Sequence, residues 1–104
     1  MTRNAFKMKL KPGVVAEYKK RHDELWPELV AELKAAGVSD YSIFLDEETL
    51  ALLAVQKLGD GNTAAQLPNS PIVRKWRTYM APPMETHPDY SPVAKPLNEV
   101  FHLD

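Results

Sequence analysis

The sequence predicts an α+β fold: a four-stranded antiparallel sheet covered by helices, with the chain order β-α-β-β-α-β. Three observations carry this. Apolar residues recur with a period of two near the start and in the middle of the chain. Helical stripes lie between and after those segments. A short connection, Glu47-Glu48-Thr49, joins two strand-like runs as a hairpin. At 104 residues, the chain has room for one core only, so residues 1–104 form a single domain.

Arg3–Leu10 alternates Phe6, Met8 and Leu10 with Lys7 and Lys9, a strand with one wet face that Pro12-Gly13 ends. From Val14 to Ala36 the spacing becomes helical, with Val15, Tyr18, Leu25, Leu29 and Leu33 on one stripe. Pro27 removes a helical hydrogen bond and clashes with the Asp23 carbonyl, which predicts a kink or break near Trp26. Gly37 is a helix stop. Asp40–Asp46 forms a second strand, with Tyr41, Ile43 and Leu45 on one face. Leu50–Lys57 pairs with it. Its run Leu50–Val55 is apolar on both faces, so a helix layer covers one side and a second sheet or a partner subunit must cover the other. Thr63–Leu67 reads as one or two helical turns ended by Pro68. Ser70 is placed as the N-cap of a helix of about three turns, with Pro71 at its first position and Ile72, Val73, Trp76, Tyr79 and Met80 on its stripe. Five of the nine prolines lie between Pro82 and Pro96, marking a loop. A final strand, Leu97–Leu103, completes a ferredoxin-like sandwich.

Composition excludes several classes of function. Thirteen Lys+Arg against fourteen Asp+Glu leave a net charge of −1, without the basic excess of nucleic-acid binders. The longest apolar run is too short to span a bilayer, and six Lys/Arg among residues 1–20 do not fit a secretory signal. With no cysteine, disulfides, thiolate catalysis and cysteine zinc sites are excluded, and the expected compartment is the cytoplasm. His22, His87 and His102 lack metal-ligand spacing, and no glycine-rich phosphate loop or nucleophile elbow is present. No cofactor and no metal is therefore expected.

The informative residue is His22. On a continuous helix Tyr18, His22 and Trp26 stack at four-residue steps within the apolar stripe, so His22 points inward. Such a histidine is either a hydrogen-bonded core residue or a general acid or base in an aromatic pocket, titrating near neutrality. Trp76 and Tyr79 are either core or ligand platform. The inward hydroxyl of Tyr41 needs a partner. Lys19-Lys20-Arg21 reads as a solvated helix face. Tyr, Trp and His around one pocket suit a neutral polyhydroxylated ligand.

The run Tyr18-Lys19-Lys20-Arg21-His22-Asp23-Glu24-Leu25-Trp26-Pro27-Glu28-Leu29 resembles the L-rhamnose mutarotase family. So do Ala5-Phe6, Gly37 with Tyr41–Asp46, Trp76, Tyr79-Met80, Pro88-Asp89, Ser91-Pro92 and the ending Leu97, Glu99-Val100-Phe101. The resemblance spans essentially the whole chain, and Arg-His-x-x-x-Trp-Pro-Glu-Leu is its specific part. It implies a homodimer, the dimeric α+β barrel, in which two sheets pack face to face. It also implies interconversion of the α and β anomers of L-rhamnose without a cofactor. The proton donor maps onto His22, and the sugar contacts onto Tyr18, Tyr41 and a tryptophan pair beginning at Trp76. Here the second member of that pair is Arg77, and an aromatic that the family often carries is replaced in Asn62-Thr63-Ala64-Ala65. These departures leave L-fucose or another 6-deoxy aldose open as substrate. Competing readings are a non-catalytic ligand-binding module and a cofactor-free monooxygenase of the same fold.

Overall fold

The computed structural model describes residues 2–104. Its elements are β1 (Thr2–Lys9), α1 (Val15–Asp23), α2 (Pro27–Ala35), β2 (Val38–Asp46), β3 (Ala51–Leu58), a 3₁₀ segment (Ala64–Asn69), α3 (Pro71–Met80) and β4 (Lys95–Leu97). The four strands form one sheet in the order β2-β3-β1-β4, with every neighbouring pair antiparallel. This is the ferredoxin-like α+β arrangement that the sequence pattern predicts.

The break near Trp26 is complete. Helix α1 stops at Asp23, four residues before Pro27, and Pro27 opens α2 as its first residue. Trp26, the residue before proline, is extended at φ −68° and ψ 130°, and its carbonyl accepts from the amides of Leu29 and Val30. At the other end of α2, Gly37 adopts φ +90° and donates to the Lys34 carbonyl. Its own carbonyl accepts from Gly59, while Ala36 accepts from Thr63, so the 59–63 loop is tied to the helix end.

The sheet has one covered face. Met8, Leu10, Leu52 and Ala54 are buried there and pack with Tyr18 of α1, Met80 of α3 and Met84. On the other face Phe44 is 60% exposed and Leu53 and Leu97 are each 38% exposed. Opposed on adjacent strands, Phe44 and Leu53 form an apolar pair without a covering layer in the single chain. Between β2 and β3 the register shifts between Ser39 and Ser42, where Asp40 and Tyr41 together oppose Gln56. Asp40 takes φ +47° in this bulge.

Three local expectations are revised. The final strand is Lys95–Leu97 rather than Leu97–Leu103: it pairs with β1 at Lys7, Phe6 and Ala5, and the chain leaves the ladder after Leu97 although β1 continues to Thr2. Beyond it Val100, Phe101 and Leu103 stand exposed. The segment before α3 winds as 3₁₀ helix through Pro68 instead of ending there, which a proline allows in so short a turn. Ser70 does occupy the N-cap of α3, but its side chain makes no cap; Oγ is buried without a hydrogen-bond partner among the described residues.

Gly37 gives a direct test of this frame. A Cβ there would lie 2.8 Å from the Asn62 Cβ, on a backbone already at positive φ. Gly37→Ala is expected to cost about 1–3 kcal/mol, read as a lower urea midpoint with an unchanged denaturation slope.

Candidate active site

A cavity of about 930 Å³ lies between the covered sheet face and the helices. Its walls include Tyr18 and His22 from α1, Tyr41 from β2, and Trp76 and Arg77 from α3. All five residues singled out from the sequence therefore converge on one space. Helical spacing explains the contribution of α3: Val73, Trp76, Arg77 and Met80 share its inward face. The bulge in β2 includes Tyr41.

The rings form a connected cluster. Tyr18 and His22 are 4.4 Å apart between centroids, as expected one turn apart on α1. The column does not continue to Trp26, because the helix has ended. Trp76 takes that place, edge-on to His22 at 5.4 Å and to Trp26 at 5.1 Å. Tyr79 closes the group against Trp26 at 5.3 Å and Trp76 at 5.7 Å. These are the offset and edge-to-face separations that aromatic pairs favour.

Desolvation sets the electrostatics of the site. Burial lowers the pKa of His22 below its ordinary 6.5, against the opposing effects of the Tyr18 carbonyl and the Asp23 charge. The neutral ring predominates at neutral pH. Nδ1 lies 3.2 Å from the Tyr18 carbonyl, which can only accept, so Nδ1 carries the hydrogen. Nε2 keeps its lone pair and has no hydrogen-bond partner among the described residues. Burial, and secondarily the nearby Tyr41, push the Tyr18 hydroxyl well above the usual tyrosine value. Burial pushes Tyr41 up to about 12, although 38% of the residue's surface is exposed; the exposure belongs to the residue as a whole, and the crowding acts on the hydroxyl. Both phenols therefore stay protonated and can donate hydrogen bonds.

Two residues escape a reading of the sequence. Arg21 is not part of a solvated face: its side chain is 18% exposed, its guanidinium lies 4.4 Å over the Tyr79 ring, and it donates to the Tyr79 carbonyl and to Glu17. The four-residue spacing from Glu17 was the visible signal; the contact with Tyr79 depends on how α3 packs. Gln56 is the second. It is 7% exposed, lines the cavity, and accepts a hydrogen bond from Asn4 Nδ2 at 3.0 Å. It shares strand parity with Leu52 and Ala54, so a polar residue in a buried series was legible. Asp23 and Asp40 also line the cavity, with Asp23 held by Lys19 and Asp40 by Lys57. Among the described residues no group of three or more His, Cys, Asp or Glu side chains could hold a metal ion.

An NMR titration should find His22 protonating below 6.5. Its folded pKa is depressed, so the unfolded chain takes up this proton first as pH falls. Stability is therefore fully present above the unfolded pKa and declines between the unfolded and folded values. His22→Gln should flatten that decline in urea melts at pH 7 and pH 5.

Comparison with known proteins identifies the family. The L-rhamnose mutarotase family model matches residues 3–103. An L-rhamnose mutarotase of Mesorhizobium japonicum is 60% identical over 99 residues, covering 95% of this chain and 94% of that one. One of Bacteroides thetaiotaomicron is 57% identical over 104 residues and covers both chains completely. The crystal structure of an L-rhamnose mutarotase from Formosa agariphila superposes with a TM-score of 0.93 at 52% identity, over all of both chains. A conserved protein of Methanosarcina mazei shares the fold alone, with a TM-score of 0.62 at 17% identity over 93% of this chain and 90% of its own. The match over nearly the whole length, in sequence and in fold, means that the chain belongs to the L-rhamnose mutarotase family.

Proposed function

We propose that the chain is an L-rhamnose mutarotase that interconverts the α and β anomers by opening and reclosing the pyranose ring. Family membership supports the substrate. The observation that carries the chemistry is His22, which lines the aromatic cavity with Nδ1 tethered to a carbonyl and Nε2 left with a free lone pair.

Opening the ring breaks the bond from C1 to the ring oxygen. One proton must reach the ring oxygen and one must leave the anomeric hydroxyl, whose oxygen becomes the aldehyde. His22 is assigned to the ring oxygen. As imidazolium it delivers its Nε2 proton there; as the resulting imidazole it takes the proton back when the ring closes on the other face of the aldehyde. Tyr18, held protonated, serves as a hydrogen-bond donor, not as the base. A carboxylate of the cavity wall, Asp23 or Asp40, or a water molecule is left to accept the anomeric proton. Trp76 offers its face to the C–H side of the sugar, while Tyr41 and Arg77 donate to hydroxyls. With Arg77 in place of a second indole, this wall is polar, which suits L-rhamnose or a related 6-deoxy aldose.

The apolar pair Phe44 and Leu53 and the exposed Leu97 support a second element of the reading, a homodimer with two sheets packed face to face. In this reading the enzyme works in the cytoplasm, in keeping with its cysteine-free sequence. Among the described residues no helix is long and apolar enough to cross a membrane.

Magnetisation exchange between the anomeric protons of L-rhamnose tests the activity, with L-fucose and D-glucose as comparison sugars. The protein should accelerate exchange, and His22→Ala should lower the rate by about 10²–10⁴-fold while sugar still binds. No acceleration by a folded wild type overturns the enzyme. Because the imidazolium is the donor, kcat/KM should rise as pH falls through the depressed pKa of His22 and level off below it. Sedimentation should give a dimer at micromolar concentration, and Phe44→Lys should shift it to monomer; a compact wild-type monomer would sink the paired-sheet assembly.

A further inference from the structure

We propose that Gln56 is a specificity-determining residue that orients the bound sugar by donating from Nε2 to one of its hydroxyl oxygens, with Asn4 as the positioning residue that fixes its amide. This rests on the sugar-binding reading of the cavity.

The inner face of β3 carries Leu52, Ala54 and Gln56, all buried. An amide in such a series is costly unless its polar atoms are paired. One half of the requirement is met across the sheet. Asn4 stands directly opposite Gln56 in the β1–β3 register, and its Nδ2 donates to Gln56 Oε1 at 3.0 Å. That bond fixes which end of the amide is which. With Oε1 engaged by Asn4, Nε2 is the end left for the cavity, and its hydrogens have no acceptor among the described residues. On the other side of β3, the bulge sets Asp40 and Tyr41 together against Gln56. The Tyr41 hydroxyl and the Gln56 amide are thus two donors from adjacent strands serving the same cavity. A ring bearing several hydroxyl oxygens is a ligand that can accept from both. The His22 and Trp76 side lies on the helices, so Gln56 reads the sugar from the sheet.

Two measurements test this. In wild-type protein labelled with ¹⁵N, saturating L-rhamnose should shift the Gln56 side-chain amide resonances and slow their exchange with water. Gln56→Met, close in shape but without a donor, should raise KM and Kd for L-rhamnose about tenfold and leave kcat within about threefold. A set of monodeoxy L-rhamnoses separates contact from mere support. One analogue should bind wild type about tenfold more weakly, and that loss should vanish in Gln56→Met, whereas a structural role would weaken all analogues alike. Turnover with an unmoved Gln56 amide, or an unchanged KM in Gln56→Met, overturns this proposal and leaves the mutarotase standing. Binding with the expected amide shift but no anomer exchange overturns the mutarotase and supports Gln56. If L-rhamnose neither binds nor exchanges, both fall.

Discussion

The arrangement depends on the proline at position 27. A helix running unbroken from Val15 to Ala35 would carry Trp26 onward in the column of Tyr18 and His22. Pro27 ends α1 at Asp23 and starts α2 afresh, leaving Trp26 extended in the joint. From there its ring meets Trp76 and Tyr79 of α3. The break thus turns one helix into two short ones and uses the intervening tryptophan to fasten α3. Arg21 adds a second fastening, from α1 to Tyr79. With α3 held in this way, Trp76 and Arg77 reach the cavity beside His22.

The same packing gives His22 its chemical character. Tyr18 below it and Trp76 at its edge remove water from the imidazole, and desolvation disfavours the charged ring. The Tyr18 carbonyl fixes the tautomer. A single turn of helix therefore supplies the ring, the group that orients it and part of the wall that lowers its basicity. The hydroxyls of Tyr18 and Tyr41 experience the same dry surroundings with the opposite sign, so acids that could lose protons keep them. The cavity thus presents donors at the phenols and one basic nitrogen.

Much of this was legible in the sequence, for reasons that can be named. The period-two runs mark strands because side chains alternate across a sheet. The break at Trp26 follows from proline chemistry alone. His22 was conspicuous as a titratable residue inside an apolar stripe. What was not legible depends on contacts between distant segments. The end of β4 at Leu97 is set by where the chain leaves β1, which it pairs with only at Lys7, Phe6 and Ala5. The burial of Arg21 reflects the position of α3. Ser70 looks like a cap by type and place, yet its hydroxyl faces no acceptor among the described residues, since capping requires a side-chain geometry that composition does not specify.

The bulge in β2 also resolves a parity problem. Val38 pairs with Leu58 and Ile43 with Ala54, and Leu58 and Ala54 share one side of β3. Val38 and Ile43 are five positions apart, an odd separation that would place them on opposite faces of a regular strand. The extra residue restores agreement, so that Val38 anchors the core while Tyr41 still serves the cavity. Deleting Asp40 would leave Val38 and Ile43 four positions apart, an even separation that a regular ladder carries with Val38, Tyr41 and Ile43 all on one side. The bulge is therefore how the sheet absorbs one surplus residue, Asp40 at positive φ, while the residues on either side of it keep their faces, and the irregularity, which includes Tyr41, sits at the cavity wall.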